Sequence, residues 1–212
     1  MSGILDLLKG PMGQMLISGA GKQLGMGEAK AGSAMSAALP LILGAMKNNA
    51  SSTEGASGLL KALGNEKHGG GILDNLGSIL GGGGIDEDVM QDGAGILGHV
   101  FGGRESNVAQ AVSKSSGIDM GSAMNILKVA APFLMSYLGK ETRSQGVSDQ
   151  NGIGDLLGGM LGDGEKESQS LINRLLDADG DGSIIDDVAG MLMNGDGKKG
   201  GLGDLLGGLF GK

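Results

Sequence analysis

The protein has 212 residues, 40% of them hydrophobic, which is enough for one medium-sized domain with appended segments. Its 24 Asp and Glu against 16 Lys and Arg give a net charge of −8, which argues against a nucleic-acid partner because phosphates need a basic surface. With no cysteine, the chain has no disulfide framework, no thiolate metal site and no cysteine nucleophile.

The composition predicts an all-helical fold. The chain has no Trp, one Tyr and three Phe, so Leu, Ile, Met and Ala must fill the core. Runs of β-branched and aromatic residues, which are typical of strands, are missing. Glycine occupies 46 positions without a collagen-like period. We therefore expect an all-α, multihelical array of short helices with a Gly-rich tail.

Neither a secretory signal nor a membrane span is predicted. Residues 1–9 lack the charged and long apolar regions of a signal peptide. The longest apolar stretches, such as Val129 to Met135, fall far short of the about 20 residues that a membrane helix needs. We expect a cytoplasmic protein, and export by another route stays open.

One helical unit occurs twice in the first 140 residues. The offset that aligns Gly25 with Gly117 also aligns Pro40 with Pro132, each proline within an apolar stretch. Each unit is predicted to be a helix, a glycine turn and an apolar helix bent by its proline. Chance similarity in a sequence of low diversity is the alternative. A true duplication predicts that the two proline-containing helices pack together.

Capping signals mark three helix starts. Ser51 to Glu54 is a candidate capping box ahead of a leucine-rich stretch. Asp119 is placed to cap a helix whose apolar residues recur at spacings of three and four. These residues are Ile126, Leu127, Ala130, Leu134 and Leu138. The Asp86-Glu87-Asp88 cluster predicts the acidic first turn of another helix.

A short motif recurs four times, and we name it the GD motif: Gly, then Ile or Leu, any residue, Asp, any residue, Leu. Its copies begin at Gly3, Gly71, Gly152 and Gly201. In the last copy the apolar residues share one helical face and glycines occupy the rest; they are Leu202, Leu205, Leu206, Leu209 and Phe210. Such a segment needs a surface to fold against, which is its own core, another subunit or a lipid interface.

The composition predicts four segments along the chain. Residues 1–140 form a helical domain, and 141–164 form a Gly-rich linker with a short amphipathic helix. Residues 165–193 form an EF-hand-like helix–loop–helix. Residues 194–212 form a second Gly-rich linker and a terminal amphipathic helix.

Six segments of the first two thirds of the chain occur in the order of a known family. They are Leu39 to Leu43, Lys47 to Ser52, Gly55 to Leu63, Gly93 to Gly103, and Ser116 to Ile118 followed by Ala131 to Met135. In these segments the chain resembles the bacterial YidB-like family, whose function is not established. The resemblance covers about residues 1–140 and implies a compact fold of several short α-helices. It implies no catalytic residue, because the family has none assigned.

The sharpest chemical signal is an acidic loop in the tail. Asp177, Asp179 and Asp181 alternate with other residues, then a glycine permits a sharp turn and an apolar residue follows, as at the start of a calcium loop. The three carboxylates and the Ser183 carbonyl are candidate Ca²⁺ ligands.

The end of this loop departs from the EF-hand pattern. Where an EF-hand has its bidentate Glu, this chain has Val188, so Asp186 or Asp187 must supply the last ligand. The departure predicts a different geometry and weaker binding, and an ion-free, solvated turn is the alternative. Magnesium fits less well because it prefers waters and strict octahedral geometry.

No catalytic arrangement is recognisable. His68 falls in a predicted loop and is expected in solvent, whereas His99 falls on a predicted helix as a core or helix-end residue. With only two His, no Ser–His–acid triad can be assembled. Gly19 to Lys22 lacks both the spacing and the preceding strand of a phosphate loop.

We therefore predict a non-enzymatic structural or interaction protein. It is expected to form a homo-oligomer or to bind a protein partner through its Gly-rich amphipathic segments, with no nucleic-acid partner. A calcium-responsive binding module is one alternative. Association with a membrane surface is another, although the net negative charge works against anionic lipid.

Overall fold

A computed structural model describes residues 3–65 and 87–162, all within the first of two units into which the chain divides, Met1–Leu175. These residues form eight α-helices and no strand, which confirms the predicted all-α class for this part of the chain. The helices are α1 (Ile4–Lys9), α2 (Pro11–Gln23), α3 (Glu28–Asn49), α4 (Thr53–Leu63), α5 (Glu87–Phe101), α6 (Glu105–Ser116), α7 (Met120–Ser144) and α8 (Gln150–Leu161).

Helix α3 is the centre of the fold. It contacts each of the other seven described helices, and its Leu39, Ile42 and Leu43 side chains are completely buried. Its principal packing partner across the core is α7, the longest described helix. The five residues of α7 whose spacing predicted a buried face are all fully buried; they are Ile126, Leu127, Ala130, Leu134 and Leu138.

The two predicted glycine turns have the same backbone conformation. Gly25 follows α2 with φ of 63°, and Gly117 follows α6 with φ of 67°. This left-handed region suits glycine because a Cβ there would approach the backbone too closely. Each turn leads into a helix with an internal proline, Pro40 in α3 and Pro132 in α7, and these two helices pack against each other.

The start of α7 is capped as its sequence predicts. The Asp119 carboxylate accepts a hydrogen bond from the Ser122 backbone N–H at 2.9 Å and another from the Ser122 hydroxyl at 2.6 Å. Both bonds favour the ionised acid, so they lower the pKa of Asp119 below its ordinary value of 3.8.

The start of α4 differs from the predicted capping box. Ser52, not Ser51, is the N-cap, and its hydroxyl accepts from the Gly55 N–H at 3.0 Å. Glu54 is thus one residue too early to complete a reciprocal box. The Ser51 hydroxyl instead donates to the Asn48 carbonyl at 2.6 Å, which ties it to the end of α3.

Two copies of the GD motif are described, and both pack on the body of their own chain. In α1, Ile4 and Leu8 are 2% and 4% exposed; in α8, Ile153 and Leu157 are both fully buried. Helix α7 continues to Ser144, past the boundary predicted at residue 140, and α8 packs against α3 and α4. The copies that begin at residues 71 and 201 lie outside the described residues.

By length and composition α3 could cross a membrane, with a mean hydropathy of 1.3 over its most apolar window. Helix α3 reaches this value without a long uninterrupted apolar run, because the residues between its apolar ones are mostly small and few of them are charged. In this fold 61% of that window is buried, as expected for the central helix of a helical core.

Candidate functional site

The described surface has a groove between α4 and α5. Its volume is about 1380 Å³. Helices α4 and α5 form its walls, and Met46 of α3 and Met135 of α7 contribute to its floor. We call this feature the α4–α5 groove.

The walls of the groove are the apolar faces of two amphipathic helices. Leu59 of α4 and Val89, Ile96 and Val100 of α5 line it and are only half-buried. Full burial of such a side chain is worth about 1.5–3 kcal/mol relative to exposure, so a partner that covers the groove gains from each one.

Two glycines leave free space in the groove, one in each wall. Gly58 of α4 and Gly95 of α5 line it, and a Cβ built on either would meet no atom within 4 Å. A glycine within a helix lowers helix stability by about 1 kcal/mol relative to Ala. These two positions therefore widen the groove without any packing requirement of the fold.

The other side of α5 is held firmly in the fold. Gly93 is buried against α7, where a Cβ would lie 2.7 Å from the Lys128 carbonyl carbon and closer still to its oxygen. Pro132, four residues after Lys128, has no N–H to donate to that carbonyl. Helix α5 therefore packs against a carbonyl of α7 that lacks its usual helical hydrogen bond. The Asn49 side-chain amide donates to the Val100 carbonyl at 3.0 Å and joins α3 to the end of α5.

The groove has an acidic lining. Glu54, Asp88 and Asp92 contribute carboxylates, whereas no described lining residue is Lys or Arg. Glu54 and Asp88 belong to the first turns of their helices, where the helix dipole favours negative charge. The described lining of the groove is therefore part apolar and part acidic.

Titratable side chains of α5 lie at the groove and at the start of the helix. Among the residues that the structure describes, no group of three His, Asp or Glu side chains could hold a metal ion. His99 lines the groove as an exposed residue in the last turn of α5, the helix-end position that was one of the two predicted for it. Glu87 and Asp88 open α5 as the predicted acidic first turn.

The predicted calcium ligands and the second histidine lie outside the described residues. The ligands are Asp177, Asp179, Asp181, Ser183, Asp186 and Asp187, and the histidine is His68. The groove itself was not predicted from the sequence. The half-apolar faces of α4 and α5 are a signal for it, but they do not reveal that the two helices lie side by side.

One buried polar atom in the core has no partner among the described residues. The Ser136 side chain of α7 is fully buried, and its hydroxyl makes no hydrogen bond. Ser136 follows Met135, whose side chain reaches the floor of the groove, but Ser136 does not line the groove. An unpaired buried hydroxyl lowers stability by about 1–3 kcal/mol.

Most of the chain matches the sequence model of a known family. The family model described as "Bacterial protein of unknown function" (DUF937) matches residues 6–141 and 147–212. The chain belongs to this YidB-like family. The match extends through the tail and is therefore wider than the resemblance noted over the first 140 residues. No curated protein and no solved structure matched the chain.

Proposed function

We propose that this YidB-like protein is a non-enzymatic interaction protein that binds an amphipathic helix in the α4–α5 groove and self-associates in this way. The observation that carries the proposal is the groove itself: two amphipathic walls, half-buried apolar side chains and two glycines that leave open space. Apolar grooves between helices bind a partner helix through residues spaced three and four apart.

The dimensions of the groove suit a short helix. Helix α4 has 11 residues, so the wall that it forms is about 16 Å long at 1.5 Å per residue. That length accommodates about three turns of a bound helix. One described GD motif lies in a helix of this size, α8 with 12 residues, and the other lies in α1 with 6 residues; both bury apolar residues against helices of this fold.

Measurement of the solution mass tests the proposal. Size-exclusion chromatography with light scattering over a range of concentrations should give species heavier than the 21.0 kDa chain. Gly95→Leu should abolish them, because the new side chain would extend into the groove from a position at which a Cβ meets no atom within 4 Å. Gly154→Leu in α8 is the matched control, since a Cβ there also meets nothing within 4 Å and lies outside the groove. Equal assembly of both variants would count against the groove.

The acidic tail loop supports a second function, calcium binding. We propose that Asp177, Asp179 and Asp181, the Ser183 carbonyl, and Asp186 or Asp187 hold one Ca²⁺, since oxygen ligands at these spacings begin a calcium loop.

Calorimetric titration of the full chain with calcium tests this second proposal. Wild type should bind the ion, the Asp177→Ala/Asp181→Ala double variant should not, and Asp155→Ala in α8 should bind as wild type does. Repeating the mass measurement in chelator then shows whether calcium binding and assembly are linked. Unchanged binding by the double variant would remove the site.

A further inference from the structure

The first turn of α8 contains an exposed asparagine that is followed directly by glycine, Asn151–Gly152. In such a pair the side-chain amide is readily attacked by the next backbone nitrogen, because glycine has no side chain to hinder the approach. We propose that Asn151 is a site of deamidation and that the Asp149 carboxylate controls its rate by holding the Gly152 N–H. This modification site is independent of the function proposed for the α4–α5 groove.

A hydrogen bond holds the attacking nitrogen in its helical position. Asp149 is the N-cap of α8, and its carboxylate accepts from the Gly152 N–H at 2.8 Å. Attack on the Asn151 side chain requires this N–H to leave the carboxylate and the peptide unit to turn out of the helix. The reaction therefore proceeds from molecules in which the first turn of α8 has opened, and loss of the cap raises their number.

Packing favours glycine as the residue after Asn151. A Cβ built on Gly152 would lie 3.2 Å from Cγ1 of Val147, which is closer than ordinary van der Waals contact, and 3.4 Å from the Asp149 side-chain oxygen. A larger residue would press on the chain that leads into α8. The fold thus retains a reactive pair at this position and restrains it through the neighbouring cap.

The reaction balances with water as the co-reactant. The Gly152 nitrogen gives up its proton and bonds to Cγ of Asn151, while the bond from Cγ to Nδ2 breaks and ammonia leaves with that proton. The product is a cyclic succinimide, which water opens at one of its two carbonyls. Cleavage of the new bond to Cγ gives aspartate with a normal backbone. Cleavage of the original peptide bond gives isoaspartate, in which Gly152 is linked through the side chain.

The two products affect α8 differently. The first turn of α8 after the cap contains no acidic residue, so an aspartate places a negative charge where the helix dipole favours one. Isoaspartate lengthens the backbone by one carbon and disrupts the helical hydrogen bonds of this turn. Gln150 of the same turn links α8 to α4, because its amide donates to the Ser51 carbonyl at 2.8 Å and accepts from the Thr53 hydroxyl at 3.2 Å. Hydrogen exchange at the start of α4 should therefore be faster in the isoaspartyl form than in fresh protein.

Incubation of the full chain in mildly alkaline buffer, followed by peptide mass spectrometry that separates aspartyl from isoaspartyl products, tests the proposal. Asp149→Ala should raise the rate at Asn151 about fivefold, which corresponds to the ~1 kcal/mol that an N-cap typically contributes. Asn194, which is also followed by glycine, is the internal reference and should react equally fast in both chains. Asp119→Ala is the matched control, since it removes the cap of α7 and should leave the rate at Asn151 unchanged. In urea, wild type and Asp149→Ala should react at the same rate, because the unfolded chain has no cap.

Contrary results overturn stated parts of the proposal. If Asn151 reacts equally fast in folded wild type and folded Asp149→Ala, the carboxylate does not control the site. If Asp119→Ala accelerates the reaction as much as Asp149→Ala does, both variants act through global unfolding and the local account is wrong. If Asn151 stays intact in every folded chain over the time that converts it in urea, it is not a modification site of the folded protein. Unchanged hydrogen exchange in α4 of the isoaspartyl form would contradict the link through Gln150.

Discussion

Replacement of Gly93 by alanine tests how α5 is held against α7. In the structure a Cβ at this position would lie 2.7 Å from the Lys128 carbonyl carbon and 2.9 Å from its Cα. Ordinary van der Waals contacts begin near 3.4 Å. The two helices must therefore separate by about 0.7 Å or more, and the atoms in the way are backbone atoms that no rotamer change can move.

The magnitude follows from two opposing effects. Overpacking of a core typically lowers stability by 1–3 kcal/mol, and a backbone clash between two long helices belongs near about 3 kcal/mol. Alanine also has a helix propensity about 1 kcal/mol better than that of glycine, which offsets part of this loss. We expect Gly93→Ala to lower the free energy of unfolding by about 2 kcal/mol.

Urea unfolding followed by far-ultraviolet circular dichroism measures this change, since the chain has no Trp for fluorescence. Gly95→Ala, two residues along the same helix, is the control: a Cβ there meets nothing within 4 Å, so the variant should gain up to about 1 kcal/mol. The sign of the effect should thus reverse between the two glycines. If Gly93→Ala is as stable as Gly95→Ala, the close approach of α5 to α7 is not real.

Three further predictions concern α7 and its start. Ser136→Ala should raise the urea midpoint by the equivalent of about 1 kcal/mol, since it removes a buried hydroxyl that lacks a partner; a lower midpoint would reveal a hydrogen bond at this site. Gly117→Ala should lower stability by about 1 kcal/mol because φ is 67° there, and an unchanged midpoint would mean that the turn readily adopts another conformation. Asp119→Asn should melt below wild type at neutral pH, and the two melting curves should converge as the pH falls below 3.8. The lowered pKa of Asp119 stabilises the fold only while the acid is ionised, so a difference that persists in acid would contradict this account.

Sequence reasoning was most successful where a single helix turn contains the whole signal. Asp119 caps α7 because its carboxylate accepts from the N–H three residues later, a contact within a single helix turn. It was less successful at α4, where Ser51 and Ser52 are both suitable caps. Both hydroxyls donate to carbonyls at the end of α3, Ser51 to Asn48 and Ser52 to Asn49, and the point at which α4 begins, Thr53, makes Ser52 the residue that also accepts from the Gly55 N–H.

The sequence by itself determined the helical class, the two left-handed glycine turns, the buried stripe of α7 and membership of the YidB-like family. These properties depend on residue types and on spacings of a few residues, which the linear order preserves. Only the tertiary structure decided that α4 and α5 lie side by side and leave a groove between them. It alone also separates Gly93, which must be glycine, from Gly95, which has open space. The two residues have the same local chemistry and differ only in what lies across from them, which is α7 for one and the open α4–α5 groove for the other.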